Sequence, residues 1–411
     1  MNPSKNYLVF CPLDSFGGLE MQSAKRASDA VRYGNSAVLV CKQNSRLHKY
    51  AGKLNLNCEF LNVQFKYIDI SAAIKLGGLF KKYKTDICIV PTTKDLSIAV
   101  LARNLFSKKT KIVLYQQMQS GLRKIDFFHN WIYRNLDYAI VITEQMKLQL
   151  PQSTIFPSDK ISVIPCGIES EHFLNRNKVE DRIVFNEILK AGIDANAEIP
   201  KVNNGEGDFC ICRNGNYQTS DSSVSKQIFT LHIFIIGYIA RFDQHKDQLT
   251  AVKAFAKADI PDSLLVLVGE ESIGQSGYTE QVTDLIEKEG LSNKVLILPF
   301  NDEIPALMSS FDLFILPSRS ETLGLVLIEA MMAACPVIGT NSGGVPEIIK
   351  HNETGLLFEQ TDFEKLSEQI KLIYSDIPTR ERLAKAGQKF AIEHFEYEKQ
   401  SRKFFEAIAN L

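Results

Sequence analysis

The stretch PSRSETLGLVLIEA, residues 317–330, is the part of the sequence around which the rest of the chain is organised. The apolar run 313–316 ends in Pro317 and Ser318, and a helical run begins near Gly324. This pattern predicts a strand, a turn and the start of a buried helix. Because the first N–H groups of a helix lack intrahelical partners, we expect the turn to bind an anion.

Two glutamates flank this turn. Glu321 precedes the predicted helix and Glu329 lies on it, eight positions later. If the whole interval is helical, it rises by about 12 Å, roughly the reach of a nucleoside diphosphate sugar. The spacing alone would also fit two unrelated surface carboxylates, so the interpretation depends on the other motifs.

Length and composition predict a globular protein with two domains. The chain has 411 residues, 45% of them hydrophobic and 23% charged, and it is long for a single core. The first residues lead into an apolar strand without the pattern of an export signal, and no apolar run has the length of a membrane span. We therefore expect a cytoplasmic protein. Any contact that it makes with the inner face of the membrane would be peripheral.

The net charge of −1 conceals a strong asymmetry. Residues 1–168 hold 23 Lys and Arg against 11 Asp and Glu, a net charge of +12, whereas residues 169–411 hold 24 against 37, a net charge of −13. The basic half predicts an anionic partner such as a membrane surface, a phosphorylated glycolipid or nucleic acid. Nucleic acid is the least favoured of these partners. The basic residues are spread over alternating helices and strands and are not gathered in one stripe with aromatic residues between them.

The eight cysteines indicate reduced, buried thiols. Several lie inside apolar runs, as Cys88 does, which is typical of a protein from a reducing compartment. The pair Cys210 and Cys212 has neither the spacing of a zinc site nor a second pair to complete one. We therefore expect no metal site at these residues.

Apolar, β-branched runs alternate with helical stretches in two series. The first series comprises residues 7–10, 37–41, 86–90, 111–115, 138–143 and 161–165, and the second comprises 233–240, 264–269, 295–299, 313–316, 337–340 and 356–358. This alternation is typical of βα units in parallel sheets that are covered on both faces. The sequence therefore predicts two doubly wound α/β domains.

The predicted domains are an N-terminal acceptor-side domain over 1–168 and a C-terminal domain over 231–390. Between them, residues 169–230 are rich in turn residues and predict a linker with a polar insertion, most marked over 175–226. Residues 391–411 predict a terminal helix that packs across both domains and completes the N-terminal domain. A helix that lies on one domain is the simpler alternative.

Two further motifs follow the first strand of each series. Gly17 and Gly18 follow the first strand of the chain and allow close approach of a ligand or of another backbone, although their spacing is not that of a dinucleotide-binding fingerprint. Arg241 and Lys246 follow the first strand of the second series. Two fixed positive charges in such a turn suit a diphosphate.

These motifs together resemble glycosyltransferase family 4. The matching pieces are Gly17-Gly18, residues 164–168, Arg241 with Lys246, Pro317-Ser318 with Glu321 and Glu329, and residues 343–348. The resemblance covers nearly the whole chain except the region near 175–226. It implies the GT-B fold, in which two Rossmann-like domains with parallel sheets face each other across an interdomain cleft.

The resemblance also implies a role for each matching position. Arg241 and Lys246 would stabilise the diphosphate leaving group, and Glu321 would contact the donor sugar. Glu329 would hold the ribose hydroxyls. The other implied donor-binding residues are Gly17, Gly18, Gln117, Thr322, Leu323, Gly324 and Leu325. The family implies retention of the anomeric configuration and no metal or other cofactor, the co-substrate being a UDP- or GDP-linked sugar.

The sequence departs from the family pattern at the end of the strand 111–115. The family often has a histidine there that reaches the donor sugar, whereas this chain continues with Gln116 and Gln117. A glutamine supplies a comparable hydrogen bond but no titrating group, so either residue could replace the histidine. His129 lies in an aromatic helix-like stretch and is interpreted as a packing or acceptor-side residue.

The sequence thus favours a retaining hexosyltransferase that acts on a hydroxyl of a glycan or glycolipid in cell-surface polysaccharide or lipopolysaccharide biosynthesis. The alternative is a non-catalytic partner that binds a nucleotide sugar within a glycan assembly complex, which the missing histidine favours. A nucleotide-sugar epimerase on the same fold fits the arrangement of Glu321 and Glu329 less well.

Overall fold

The structure is a computed structural model that describes residues 4–65, 68–119, 121, 123–194, 202–203, 208–209, 233–272 and 277–411. The chain divides into two compact units. The first comprises residues 1–167 and 397–411, and the second comprises residues 168–396.

The first unit is built on seven parallel strands in the order β3-β2-β1-β4-β5-β6-β7. They are β1 (Asn6–Phe10), β2 (Ser36–Cys41), β3 (Cys58–Phe60), β4 (Ile87–Val90), β5 (Lys111–Gln116), β6 (Tyr138–Val141) and β7 (Ile161–Val163). Six of them match the apolar runs of the sequence. The edge strand β3 was missed because its Cys-Glu-Phe sequence has no apolar run and its residues are partly exposed.

Six helices connect these strands: α1 (Gly18–Arg32), α2 (Arg46–Lys53), α3 (Ile70–Lys82), α4 (Leu96–Phe106), α5 (Phe127–Arg134) and α6 (Glu144–Ser153). A short 3₁₀ turn, Ser158–Lys160, precedes β7. Side-chain caps fix several helix starts. Asp69 accepts a hydrogen bond from the backbone N–H of Ala72 at 2.9 Å, and Thr143 accepts one from that of Met146 at 3.2 Å. Such caps satisfy N–H groups that have no partner within the helix.

The region predicted as a linker, 169–230, differs in part from that prediction. A 3₁₀ turn at Ser170–His172 is followed by helix α7 (Lys178–Asp194), and both belong to the second unit. Phe185 and Leu189 of this helix are buried, and Arg182 donates to the backbone oxygen of Ser310 at 3.2 Å. The many charged residues of the helix obscured its apolar face in the sequence.

Beyond α7, two residue pairs, β8 (Val202–Asn203) and β9 (Asp208–Phe209), form a small antiparallel ladder. The remaining residues of the predicted insertion, including Cys210 and Cys212, lie outside the described residues.

The second unit has six parallel strands in the order β12-β11-β10-β13-β14-β15. They are β10 (Phe234–Ile239), β11 (Ser263–Val268), β12 (Val295–Leu298), β13 (Leu313–Leu316), β14 (Val337–Thr340) and β15 (Leu356–Phe358). The remaining helices of the unit are α8 (Gln248–Ala258), α9 (Tyr278–Lys288), α10 (Ile304–Ser310), α11 (Leu325–Met332), α12 (Val345–Ile348), α13 (Phe363–Ser375) and α14 (Ile377–Phe395). The prediction of two α/β domains with parallel sheets is confirmed.

The C-terminal segment predicted over 391–411 is two helices and not one. Helix α14 ends at Phe395, Glu396 is extended, and helix α15 (Tyr397–Ile408) belongs to the first unit. There, Tyr397 and Ser401 both donate to the carboxylate of the buried Asp29, at 2.7 and 2.6 Å. Gly167 makes this packing possible, because a Cβ at that position would lie 2.5 Å from the Cα of Tyr397.

Candidate active site

The residues predicted to carry chemistry in the second unit follow three adjacent strands. Arg241 and Lys246 come after β10, Glu321 follows β13, and the glycine pair Gly343-Gly344 follows β14. These strands are neighbours in the order β10-β13-β14. Since they are parallel, their carboxyl ends lie at one edge of the sheet, where open α/β sheets bind ligands.

Lys246 and Glu321 form a direct ion pair. The Lys246 ammonium donates a hydrogen bond to Oε1 of Glu321, and the hydroxyl of Ser318 donates to the same oxygen at 3.0 Å. The exposed fraction is 21% for the side chain of Lys246 and 11% for that of Glu321. The pair is therefore largely shielded from water, which strengthens the attraction between the two charges. The structure thus brings together two of the predicted residues, 75 positions apart in the sequence.

The backbone around Lys246 is fixed by two buried side chains that the sequence analysis missed. Oδ1 of Asp243 accepts hydrogen bonds from the backbone N–H groups of His245 and Lys246, each at 3.0 Å. The phenol of Tyr238 donates to the backbone oxygen of Lys246. Burial and, to a smaller extent, the charge of Glu321 raise the pKa of Tyr238 well above its ordinary value, so the phenol stays protonated and able to donate.

The glycine pair after β14 fixes the backbone of Glu321. Gly343 has a φ of +60°, and a Cβ there would lie 1.9 Å from the backbone oxygen of Glu321. The N–H of Gly344 donates to that oxygen at 3.0 Å. Only glycine tolerates both the left-handed backbone and so close an approach. The motif at 343–348 therefore positions Glu321.

Helix α11 begins where the sequence indicated. Gly324, with a φ of +85°, immediately precedes Leu325, the first residue of the helix. Thr322 is partly exposed, and Leu323 is 3% exposed and contributes to the core. The partly buried Glu329 lies four residues into the helix. The estimate of 12 Å for a fully helical interval does not apply, because residues 321–324 are not helical. The helical rise from Leu325 to Glu329 is about 6 Å.

Arg241 differs from Lys246 in its surroundings. Its side chain is exposed, and the described residues provide it with no hydrogen bond or ion pair. Its backbone oxygen accepts a hydrogen bond from Nε2 of the buried Gln248 at 2.9 Å. The turn is thereby fixed while the guanidinium stays accessible.

A second charged pair lies beside these residues and was not predicted. Nε of Arg319 donates to Oδ2 of Asp247 at 3.0 Å, and the backbone N–H of Arg319 donates to the backbone oxygen of His245 at 2.8 Å. The hydrogen bond and the charge of Asp247 raise the pKa of Arg319. Asp247 is 1% exposed, adopts the left-handed conformation at a φ of +58° and caps α8. The two pairs link the loops after β10 and β13.

The predicted residues of the first unit lie at the carboxyl edge of its own sheet. Gly17 precedes α1 with an extended backbone, and a Cβ there would meet only the carboxylate of Glu20, at an ordinary 3.8 Å. Steric crowding among the described residues therefore does not require glycine at this position. Gly18 is the first residue of α1.

Gln116, the last residue of β5, and Gln117, which follows it, are both buried, and their amides have different surroundings. Nε2 of Gln116 donates to the backbone oxygen of Met118 at 2.9 Å. Oε1 of Gln117 accepts a weak hydrogen bond from the thiol of Cys166 at 3.8 Å. Among the described residues, Oε1 of Gln116 and Nε2 of Gln117 have no hydrogen-bond partner. His129, considered for packing or the acceptor side, contacts Asp126.

No group of three or more His, Cys, Asp or Glu side chains among the described residues is arranged to hold a metal ion. The absence of a metal cofactor stays a prediction. The described helices also include none with the length and apolarity needed to span a bilayer.

Comparison with known proteins gives a consistent result. Residues 226–390 match the family model described as "Glycosyl transferases group 1". N-acetyl-alpha-D-glucosaminyl L-malate synthase of Bacillus anthracis is 33% identical over 166 residues, which are 40% of this chain and 42% of that protein. The capsular polysaccharide biosynthesis glycosyltransferase CapM of Staphylococcus aureus is 24% identical over 340 residues, 79% of this chain and 76% of that protein. The match thus spans less than half the length of the Bacillus relative.

The same fold occurs in solved structures. The structure of Anabaena HepE in complex with UDP and glucose superposes with a TM-score of 0.76 at 18% identity, covering 99% of this chain and 100% of that one. A glycosyltransferase from Rickettsia africae superposes with a TM-score of 0.78 at 19% identity, covering 100% of both chains. The predicted GT-B fold class is confirmed.

Proposed function

We propose that this chain, which matches the model of the group 1 glycosyl transferases over residues 226–390, transfers a hexose from a nucleotide sugar to a hydroxyl of a glycan or glycolipid. The acceptor would be an intermediate of cell-surface polysaccharide or lipopolysaccharide biosynthesis. The name of the Staphylococcus aureus relative, which refers to capsular polysaccharide, supports this assignment.

The observation that carries the proposal is the ion pair between Lys246 and Glu321 at the carboxyl edge of the second sheet. A cation and a carboxylate lie in contact next to the first N–H groups of α11. A diphosphate needs positive charge and hydrogen-bond donors, whereas a sugar hydroxyl needs an acceptor. Lys246 and Glu321, on the adjacent loops after β10 and β13, together offer both kinds of group.

Each of the charged residues near this edge of the sheet would have its own role in the reaction. Lys246 and the accessible Arg241 would neutralise the charge that develops on the diphosphate as the bond to the anomeric carbon breaks. N–H groups at the start of α11 would donate to the same phosphate oxygens. Glu321 would accept from hydroxyls of the donor sugar, and Glu329 from the ribose hydroxyls.

We further propose that the reaction retains the anomeric configuration and needs no metal ion or other cofactor. Two cationic side chains and a helix N-terminus supply the positive charge that a divalent ion provides in other transferases. Adding a chelator to the assay should therefore leave the rate unchanged. A rate that disappears with chelator and returns with Mg²⁺ or Mn²⁺ would contradict this part of the proposal.

The basic first unit supports an acceptor at a negatively charged surface. With a net charge of +12 over residues 1–168, it would be attracted to anionic lipids or to a phosphorylated glycolipid. We therefore propose that the protein works in the cytoplasm at the inner face of the membrane. Sedimentation with anionic vesicles, and none with neutral vesicles, is the expected result.

The test of the activity is a panel of UDP- and GDP-linked hexoses incubated with the protein, with and without cell-surface glycolipid extracts. Slow hydrolysis or acceptor-dependent release of nucleotide from one donor is expected, with the released sugar linked in the configuration of the donor. Glu329→Ala should raise the KM for the donor. The enzyme proposal fails if neither reaction appears with any donor.

One observation supports the alternative, in which the protein is a non-catalytic partner that binds a nucleotide sugar. The end of β5, where the related family often has a histidine, carries Gln116 and Gln117, which have no titrating group. This alternative predicts nucleotide binding by calorimetry without any turnover in the same panel.

A further inference from the structure

Three buried polar side chains of the first unit form a line that ends at the carboxyl edge of its sheet. Tyr115 lies in β5, Gln117 directly follows that strand, and Cys166 lies in the segment after β7. This edge is where open α/β domains bind ligands. A buried group that is held in place here can therefore be aimed at a substrate.

Two weak hydrogen bonds join the three side chains. The hydroxyl oxygen of Tyr115 lies 3.5 Å from Sγ of Cys166, and the thiol of Cys166 donates to Oε1 of Gln117 at 3.8 Å. Tyr115 and Gln117 are two residues apart, the spacing that places side chains on one side of an extended chain. Cys166 thus connects two side chains that leave the same part of the chain.

The phenol and the thiol both keep their protons. Burial raises the pKa of Tyr115 well above its ordinary value and also raises the pKa of Cys166, although the charge of Arg26 acts in the opposite direction on both groups. Each group therefore has one hydrogen to donate and lone pairs that can accept. The surroundings decide in which direction the hydrogen bonds run.

Arg26 sets this direction. The residue is 1% exposed, and the central carbon of its guanidinium lies 5.9 Å from the centre of the Tyr115 ring. A guanidinium stays charged in proteins and can only donate. Its charge favours the phenol orientation in which the oxygen lone pairs face Arg26 and the O–H points to Sγ of Cys166. The S–H is then left for Oε1 of Gln117, which can only accept.

The amide of Gln117 is thereby oriented. Since the thiol uses Oε1, Nε2 is the end that is left for a ligand. Nε2 has no hydrogen-bond partner among the described residues, although the residue is only 7% exposed. Burying a donor without a partner costs free energy, which an oxygen of a bound ligand would recover. A reversed amide would present an acceptor instead, so the thiol decides which kind of atom Gln117 recognises.

We propose that Cys166 is a positioning residue: its thiol, oriented by Tyr115 and Arg26, holds Gln117 so that Nε2 donates to an oxygen of the nucleotide sugar. The identity of this ligand rests on the proposed function. The ligand atom is a hydrogen-bond acceptor, either a hydroxyl oxygen of the donor sugar or an oxygen of the diphosphate.

A double-mutant cycle on the full chain tests the proposal, with kcat/KM for the donor as the readout. Cys166→Ala should lower kcat/KM by about two- to tenfold, the range expected for the loss of one hydrogen bond. In the Gln117→Leu background the same change should have no effect, because the thiol then has no amide to hold. Cys166→Ser should lose less than Cys166→Ala, since a hydroxyl also donates.

Cys88→Ala is the matched control. Cys88 is a fully buried thiol of β4, the strand next to β5 in the same sheet. Its removal should leave kcat/KM unchanged, and urea unfolding shows how much stability each variant loses. Equal effects of Cys166→Ala and Cys88→Ala on kcat/KM would overturn the proposal. So would an effect of Cys166→Ala that persists in full in the Gln117→Leu background, because a thiol with a merely structural role acts alike in both backgrounds.

Calorimetry of the same variants, with the nucleotide sugar and with the matching nucleoside diphosphate, identifies the ligand atom. If Cys166→Ala weakens the binding of the nucleotide sugar alone, the atom belongs to the sugar. If it weakens the binding of both compounds, the atom is a phosphate oxygen.

The same titrations separate failure of this proposal from failure of the proposed function. If the cycle appears in the affinities but no donor is ever consumed, the role of Cys166 stands and the transferase proposal is wrong. If transfer occurs and Cys166→Ala behaves as Cys88→Ala does, the transferase stands and the role of Cys166 is wrong. No binding of any nucleotide sugar would overturn both.

Discussion

The charged site residues of the second unit and the two glutamines of the first unit differ in how they are paired. In the second unit, Lys246, Glu321, Arg319 and Asp247 are paired with one another before any ligand arrives. In the first unit, Gln116 and Gln117 each bury an amide atom that no described residue satisfies. The second unit therefore has charges already held in place for chemistry, whereas the first unit retains hydrogen-bonding capacity that a ligand could use.

The largest expected effect comes from removing the cation of the second unit. Lys246→Ala should lower kcat by about 10²–10³-fold, because a preorganised donor to the developing charge is lost. The measurement is steady-state transfer with the donor found in the panel. Lys257→Ala is the control: Lys257 pairs with Glu364 on the surface, both side chains being at least half exposed. Such pairs contribute little. Equal rates for the two variants would contradict the role of Lys246.

Gly343→Ala should disturb the support of Glu321. The left-handed backbone alone costs about 1–2 kcal/mol for a residue with a Cβ, and the contact with the backbone oxygen of Glu321 adds to it. Gly290→Ala provides the comparison, since Gly290 has a φ of +68° but no atom near its Cβ position. Urea unfolding should show the larger loss of stability for Gly343→Ala, and only that variant should lose activity. Equal losses of stability would show that the glycine is needed for its conformation alone.

Gln117→Leu tests, through the stability of the protein, whether the unpaired amide of the first unit is kept for a ligand. Removing an unsatisfied buried amide should raise the free energy of unfolding by about 1 kcal/mol, while the turnover of the donor falls. Gln369→Leu serves as control because Gln369 also has an unpaired oxygen, but its Nε2 donates to the backbone oxygen of Leu357 at 2.8 Å. That variant should keep its activity. A destabilised Gln117→Leu protein with full activity would mean that the glutamine is structural.

The smallest expected effect concerns the framework of the first unit. Burial acts to raise the pKa of Asp69, but hydrogen bonds from backbone N–H groups, Ala72 first and then Gln64, lower it below the ordinary value. The charged cap therefore stabilises the fold above about pH 4, the value in the unfolded chain, and this stability is lost as the pH falls through the folded-state pKa.

Asp69→Ala should accordingly cost about 1 kcal/mol at pH 7, and the difference from the wild type should shrink at pH 3. Asp69→Asn should retain most of the cap without that pH dependence. Urea unfolding at both pH values gives the comparison. A difference between the Ala variant and the wild type that does not change with pH would contradict the charged-cap account.

The sequence was sufficient for the sheets and for part of the candidate site. Apolar runs predicted twelve of the strands because a buried parallel strand is apolar on both faces, and β3 was missed because it lies at an edge. Lys246 and Glu321 could be proposed together only through the family pattern. Nothing in the sequence joins Arg319 to Asp247, which are 72 positions apart.

Other features had a local signal that was not used. Asp243 lies three residues before Lys246, and an Asp that accepts from N–H groups two and three residues further on is a common turn. This pattern would have predicted a fixed backbone at Lys246. By contrast, the different surroundings of Gln116 and Gln117 depend on the packing of α5, α6 and Cys166, which only the folded chain defines.

The central claim is that the loops after β10 and β13, which carry Lys246 and Glu321, hold the diphosphate of a nucleotide sugar. Calorimetric titration with UDP and GDP tests it most directly. One of the two nucleotides should bind the wild-type chain, and Arg241→Ala and Lys246→Ala should each weaken that binding by about tenfold or more, whereas Lys257→Ala should not. Equal affinity in all four proteins, or no binding of either nucleotide to the wild type, would contradict the account.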